Sequence, residues 1–257
     1  VPIHIEKSLI KERFTKSIHT YGEYATVQAL IAKRLAEQLA KHASEFHNVL
    51  ELGAGTGFLT RELVHQFSIR SILCNDLVGE YRPLLESITH DKTQFSFLES
   101  DLEQTDVFTG KYDLIASAST LQWILELDVL FAKLKTKMKK NAFFAFSTFG
   151  ENNMIEVRKV LQSGLYYPSL ATILEVVEKH FTLLYSHEES HILYFEEPVD
   201  VLKHIKRTGV NALFKMHWTK GDLLNFSEKY KSFFSSEQGV SLTYHPIYII
   251  AQNKENL

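Results

Sequence analysis

The stretch Val49-Leu50-Glu51-Leu52-Gly53-Ala54-Gly55-Thr56-Gly57-Phe58-Leu59-Thr60 constrains this chain more than any other. It opens as a short apolar run, the pattern of a strand buried in a parallel sheet. Three glycines follow at alternate positions, and Phe58 to Phe67 then reads as a helix. A strand that turns through glycines into a helix builds a nucleotide-type cofactor site. Glycine reaches backbone angles closed to other residues and leaves no Cβ between backbone and ligand. The helix start adds free N–H groups and a partial positive charge, suited to a carboxylate or a phosphate. The spacing Gly53-x-Gly55-x-Gly57 is not the G-x-G-x-x-G of a dinucleotide fingerprint. No Walker lysine follows either, since Phe58 and Leu59 occupy that place.

The next apolar run, Ser71 to Cys74, ends in Asn75-Asp76-Leu77. Asp76 falls 23 residues after Gly53, where doubly wound folds place an acid to bind ribose hydroxyls. Tyr81 to Ile88 reads as a helix and Thr93 to Leu98 as a third strand. Asp101 and Leu102 then follow, an acid that can accept from an exocyclic amine and an apolar side chain that can cover a ring. Tyr112 to Ser117 is a fourth strand. Ligands of open parallel sheets bind beyond the carboxyl ends of the strands at the switch point, so Ser117 to Trp123, including Gln122, is expected to line the pocket. Leu127 to Met138 reads as a helix, Ala142 to Phe149 as a fifth strand.

Residues 150–236 break this alternation. Helices are expected at 154–163, at 170–179 behind a Ser169 cap, from Pro198 to Arg207, and at 219–234. Gly209 is placed as the residue that ends the third of these. Two β-rich runs, Phe181 to Ser186 and His191 to Phe195, lie between, and Val240 to Ala251 reads as one last strand. Residues 1–44 read as a polar segment followed by an amphipathic helix at 25–44. Residues 45–149 form the cofactor unit, 150–236 a substrate-side cover and 237–257 the last strand, all in a single domain.

Composition excludes several classes. The 257 residues are 45% hydrophobic and 23% charged, with a net charge of -3, so no global field recruits nucleic acid. No apolar run approaches the roughly 20 residues of a membrane span, and the N-terminus lacks the apolar region of a secretory signal. The lone Cys74 forbids an intrachain disulfide and fits a reducing, cytoplasmic setting. His187 and His191 have no third ligand at metal spacing, and no G-x-S-x-G elbow is present.

The Glu51-x-Gly53-x-Gly55-x-Gly57 pattern resembles motif I of the class I S-adenosylmethionine (SAM) methyltransferases. Over most of its length, from Phe14 to Asn211, the chain resembles the malonyl-acyl-carrier-protein O-methyltransferases of biotin synthesis. The more specific points are Tyr21 with Ala25 and Gln28, Ser117-x-x-x-Leu121-Gln122-Trp123 and Ser147-Thr148-Phe149-Gly150. To these are added Gly164-Leu165-x-Tyr167-x-Ser169 and Leu202-Lys203-x-Ile205-Lys206-x-Thr208-Gly209-Val210-Asn211. The chain departs at Ser119-Thr120, where an Asn-Ala type pair is frequent in that family.

The resemblance implies an α/β, Rossmann-like class I methyltransferase fold. Its seven-stranded sheet would be mostly parallel with an antiparallel last strand, under a helical cover. It implies SAM held by Glu51, Gly53, Ala54, Gly55, Gly57, Asp76, Leu77, Asp101, Leu102 and Ser117. It implies methyl transfer to the free carboxylate of a malonyl thioester on acyl carrier protein, with malonyl-CoA as the alternative carrier. Tyr21, Gln122 and Tyr167 are the expected catalytic-site residues, with Trp123 and Arg158 on the substrate side. An acidic carrier calls for basic residues, and Lys203, Lys206 and Arg207 are expected to dock it. The rival readings are a methyltransferase of another small acid or quinone precursor, and a catalytically silent SAM-binding subunit.

Overall fold

A computed structural model describes residues 6–89, 93–209 and 218–254. The chain divides into two compact units. The first, the sheet unit, comprises residues 27–148, 169–188 and the segment from 246 onward. The second, the helix-rich unit, comprises the segment up to residue 26, 149–168 and 189–245.

The sheet unit holds β1 (Glu45–Leu52), β2 (Ser68–Asp76), β3 (Gln94–Glu99), β4 (Tyr112–Ala118), β5 (Met138–Phe149), β6 (Thr182–Glu188) and β10 (Pro246–Gln252). They form one sheet in the order β3-β2-β1-β4-β5-β10-β6. The pairs β1–β2, β1–β4, β2–β3 and β4–β5 are parallel, whereas β10 runs antiparallel to β6. This is the expected sheet with its antiparallel last strand. Parallel strands need crossovers, which α3 (Phe58–Gln66), α4 (Arg82–Ile88) and α5 (Leu127–Thr136) supply; α2 (Thr26–Leu39) precedes β1 and α7 (Leu170–His180) precedes β6. Leu50, Ile115, Phe144, Phe146, Phe131 and Ile249 are all fully buried in one core. The Phe131 and Phe144 rings meet edge-on at 5.1 Å between centroids, a favoured aromatic geometry. Burial of each side chain of this size stabilises by about 1.5–3 kcal/mol. The Ser169 cap holds as read: its hydroxyl accepts from the backbone N–H of Thr172 at 3.2 Å.

The helix-rich unit holds α1 (Lys7–Tyr24), α6 (Ile155–Leu161), α8 (Pro198–Arg207) and α9 (Lys220–Phe234), with a small antiparallel sheet in the order β7-β9-β8. Its strands are β7 (His191–Phe195), β8 (Ser235–Ser236) and β9 (Gly239–Tyr244). The buried carboxylate of Glu156 on α6 accepts from Ser241 Oγ at 3.1 Å, Thr243 N at 3.0 Å and Thr243 Oγ1 at 2.7 Å on β9. A buried carboxylate survives only when so satisfied.

Two expectations are corrected. Residues 7–24 are helical rather than an irregular polar segment. Proline is absent there and Glu12 pairs with Lys16 one turn on, the i,i+4 order that supports a helix. The expected single strand 240–251 is two strands in different sheets, parted at His245-Pro246. Proline has no N–H for a ladder and fits the first position of a strand. Gly209 follows α8 with φ +70°, as expected of a residue that ends a helix. Val210 and Asn211 lie outside the described residues.

Candidate cofactor site and substrate-side residues

The register of the sheet unit brings the ends of β1 to β4 to one edge. Leu52 is level with Asn75, Asn75 with Leu98, and Glu51 with Ala116. β1 and β4 are neighbours in the sheet, so this edge is the switch point at which open α/β sheets bind ligands.

The glycine loop is built as its composition demands. Gly53, Gly55 and Gly57 have φ of +66°, +52° and +83°, the left-handed region that side chains disfavour. The turn is closed by Gly57 N–H donating to Ala54 O at 3.0 Å, and Ala54 N–H donates to Asn75 O at 2.9 Å. A Cβ on Gly55 would meet nothing within 4 Å: the loop presents open backbone there, at the start of α3.

Asp76 lies at the end of β2. Its Oδ2 accepts from Gly55 N–H at 2.8 Å and its Oδ1 from Val78 N–H at 2.9 Å. Burial among neighbouring atoms pushes its carboxyl up to about 6, against the pull of those N–H groups. It is therefore ionised at neutral pH. The side chain keeps some exposure, and each oxygen has a second lone pair for a hydroxyl. Leu77, beside it, is half-buried.

Glu51 differs. It is 1% exposed, and burial pushes its carboxyl up to about 8 despite the hydrogen bond from Thr60. Thr60 Oγ1 donates to Glu51 Oε2 at 2.7 Å, with Cys74 Sγ 3.6 Å from the same oxygen. Glu51 is thus largely protonated at pH 7, an acid held neutral inside the sheet. Cys74 is buried and its thiol is raised well above its ordinary value, first by that burial.

Asp101 opens the turn after β3, and its Oδ1 accepts from Glu103 N–H at 3.0 Å. Leu102 is buried beside it. Asn75, which the sequence reading did not single out, donates to Leu98 O at 3.1 Å and to Ser100 O at 2.9 Å, tying the ends of β2 and β3 together. Its place just before Asp76 was the available signal.

Beyond β4, Ser117 is fully buried and donates its hydroxyl to Leu52 O at 2.9 Å. Ser119 takes φ +54°, and Thr120 Oγ1 lies 3.2 Å from Gly53 O. Gln122 Nε2 donates to Ser119 O at 2.6 Å. Trp123 is buried. Thr56 Oγ1, Ser119 Oγ and Gln122 Oε1 are buried without a hydrogen-bond partner among the described residues. Orphaned polar atoms are costly unless a ligand or water meets them. These atoms, the open backbone at Gly55 and the partly exposed Asp76 fit SAM.

The remaining candidates belong to the helix-rich unit and fall into two groups. Tyr167 is 4% exposed, and burial pushes its phenol up to about 12 against a hydrogen bond with Asn153. The Arg158 guanidinium lies 5.2 Å from its ring centroid. Arg158 Nε donates to Asn153 O at 2.9 Å, and a terminal nitrogen donates to Glu151 O. The second group gathers along α1 and α8. Tyr21, half-buried on α1, has its ring 6.1 Å from that of Phe14. Lys203, Lys206 and Arg207 are exposed on α8. They share a groove with Arg13 and Lys16 of α1, two cations the sequence reading missed because residues 1–24 were not read as a helix.

Comparison with known proteins agrees with this geometry. A family model described as a methyltransferase domain matches residues 22–195. A protein of Bacteroides thetaiotaomicron named malonyl-[acyl-carrier protein] O-methyltransferase is 42% identical over 98% of this chain and 100% of its own. One of the same name from Chlorobium luteolum is 38% identical over 97% of each chain. Among solved structures, the N-methyltransferase NodS of Bradyrhizobium japonicum, in complex with S-adenosyl-L-homocysteine, superposes with a TM-score of 0.55. It is 10% identical over 96% of this chain and 99% of that one. A phosphoethanolamine N-methyltransferase of Haemonchus contortus gives 0.56 at 15% identity, over 99% of this chain and 61% of that one. These two likenesses concern the fold. With a methyltransferase model over most of its length and near-full-length relatives of one name, the chain belongs to the malonyl-[acyl-carrier protein] O-methyltransferase family, enzymes that use SAM.

Proposed function

We propose that this chain transfers a methyl group from SAM to the free carboxylate of a malonyl thioester on acyl carrier protein. The product is the malonyl methyl ester, the primer of pimeloyl synthesis for biotin. The observation that carries this reading is the chain's near-end-to-end similarity to proteins of that name, joined to a glycine loop built for the cofactor.

When bound, SAM supplies a methyl group on a positively charged sulfur. In this reading Gly53, Ala54, Gly55 and Gly57, with the start of α3, hold its carboxylate end. Asp76 and Leu77 lie at its ribose, and Asp101 and Leu102 at its adenine. Protonated Glu51 and buried Ser117 brace the loop from below. The chemistry asks little else of the chain. A malonyl carboxylate is ionised at pH 7, so no general base is needed, and proximity and orientation supply most of the acceleration. The candidates for holding that carboxylate, each taken by itself, are Tyr21, Gln122, Tyr167 and Arg158, and Trp123 is a further substrate-side candidate. Gln122 Nε2 is already committed to Ser119 O, whereas the Tyr167 phenol stays protonated and can donate. Methylation removes the negative charge, so the chain end becomes apolar for later elongation.

The test is methyl transfer from labelled SAM to malonyl-acyl-carrier protein, beside malonyl-CoA and free malonate. Base-labile label on the carrier-bound substrate, formed far faster than on free malonate, is the expected result. SAM binding with no transfer to any malonyl species would overturn the substrate assignment.

A further inference from the structure

In the helix-rich unit, α1 and α8 bound a groove of about 360 Å³ lined by Arg13, Lys16, Ser17, Thr20, Lys203, Lys206 and Arg207. The first four recur at helical spacing and share one face of α1. Five of the seven are cations, and no acid is among the described residues that line the groove. The walls are pinned. Thr20 Oγ1 donates to Arg207 O at 3.0 Å, and the Arg207 guanidinium lies 4.3 Å from the centroid of the Tyr24 ring. At the end of α8, a Cβ on Gly209 would fall 2.8 Å from Ser17 Oγ, so only glycine permits this approach.

The cations are not equally satisfied. Lys16 is paired with Glu12 at 2.5 Å and Lys203 with Asp200 at 2.7 Å. Lys206 is exposed and makes no ion pair among the described residues. Arg13 Nε is buried without a hydrogen-bond partner among the described residues. The Ser17 hydroxyl donates its hydrogen to Phe14 O and that of Thr20 is directed at backbone carbonyls, so the cations must supply the donors. A concave site with an unspent Arg N–H and an unpaired Lys suits a compact anion with several oxygens. Arg and Lys are the residues that meet phosphate, Arg through its fork and Lys as a point charge.

We propose that this groove takes the phosphodiester of the pantetheine arm that carries the thioester substrate. The inference rests on the substrate reading above and deepens it: the arm is recognised by its phosphate, and Arg13 and Lys206 are the principal contacts. An acidic helix of a carrier protein is the other occupant a basic surface could meet, but it would call for cations spread over a flat face rather than gathered in a groove.

The test is ligand-observed NMR titration of the full chain with 4′-phosphopantetheine and with pantetheine, which differ only in the phosphate. Charge-assisted hydrogen bonds predict roughly tenfold or more tighter binding of the phosphorylated arm, weakening as salt is raised. Lys206→Glu, at an exposed position, is expected to remove most of that advantage, and Arg13→Ala a comparable share. Retained SAM affinity reports that each variant is folded. Equal binding of the two arms, or an advantage that survives both substitutions, would overturn the assignment. So would a Lys206→Glu variant that loses carrier protein while the phosphate itself confers nothing, since the groove would then meet the carrier's acidic surface. No turnover is needed, so failure of the substrate reading appears in the transfer assay and failure of this inference appears here.

Discussion

A Cβ built on Gly53 falls 2.3 Å from Cγ2 and 2.4 Å from Oγ1 of Thr120. The loop after β4 therefore rests on the first glycine of the cofactor turn, and its threonine hydroxyl reaches Gly53 O at 3.2 Å. Gly53→Ala must relieve a clash and a φ of +66° together, at an expected loss of about 3 kcal/mol in urea unfolding. Thr120→Ala in the same chain is expected to recover part of it, a coupling that a double-mutant cycle measures. Additive losses would show that the contact is not what selects glycine.

Gly55→Ala separates folding from binding. Its Cβ meets nothing, so the strain of a φ of +52° alone applies, about 1–2 kcal/mol. That methyl projects from the open backbone of the loop, so SAM affinity by calorimetry should fall by about tenfold or more. An unchanged affinity would place the cofactor elsewhere.

The acid inside the sheet gives stability a specific pH dependence. The Glu51 carboxyl sits near 8 in the folded chain against an ordinary 4.5, so the folded state holds a proton that the unfolded state has released. Its contribution is whole below about pH 4.5 and is lost as pH rises through 8. Asp76, raised from 3.8 to about 6, adds in the same direction. Each pKa unit is worth about 1.4 kcal/mol, so Glu51→Gln should flatten the decline in urea midpoint between pH 5 and pH 8. A variant as pH-dependent as the parent would mean that Glu51 ionises freely.

The proposed transfer needs no base, and Tyr167 stays a protonated donor because its phenol is raised to about 12. With SAM and malonyl thioester saturating, kcat is expected to be flat from about pH 6 to pH 9. Tyr167→Phe should lower kcat/KM by about 10- to 100-fold if the phenol donates to the substrate carboxylate. A limb in kcat near pH 7 would reveal a titrating catalytic group and remove the base-free scheme.

The sheet unit was legible because its strands write themselves as apolar runs: Val49–Leu52 is buried throughout and Phe144 and Phe146 fill the core. The glycine spacing, and the acid at the end of the second strand, mark the loop in the sequence itself. The helix-rich unit was less legible, since three separated segments build it and their pairing is nonlocal. α1 was missed although Ile10, Phe14, Ile18 and Tyr21 recur at helical spacing, because charged and polar residues crowd between them and the segment read as mixed. The break at His245-Pro246 was masked by apolar residues on both sides. Orphaned atoms such as Gln122 Oε1 are properties of packing and cannot be read from residue order.

His204 carries the opposite pH signature to Glu51. On α8 it packs 5.3 Å from the ring of Phe195, and its Nε2 lies 2.8 Å from the Tyr244 hydroxyl. Burial first, then Arg207, lowers its pKa from 6.5 to about 4. The unfolded chain therefore binds a proton that the folded chain refuses. The contribution of neutral His204 is present above pH 6.5 and is lost as pH falls through 4, a span worth about 3 kcal/mol. Glu51 and Asp76 gain in part of that interval, so the parent's urea midpoint mixes opposing slopes and does not isolate His204. The difference between parent and His204→Gln does. It is expected to shrink steadily from pH 6.5 to pH 4.5, as the histidine that the variant lacks becomes a liability. A constant difference would mean that the ring is protonated in place, paired through Tyr244, and that α8 tolerates a charge beneath its basic face.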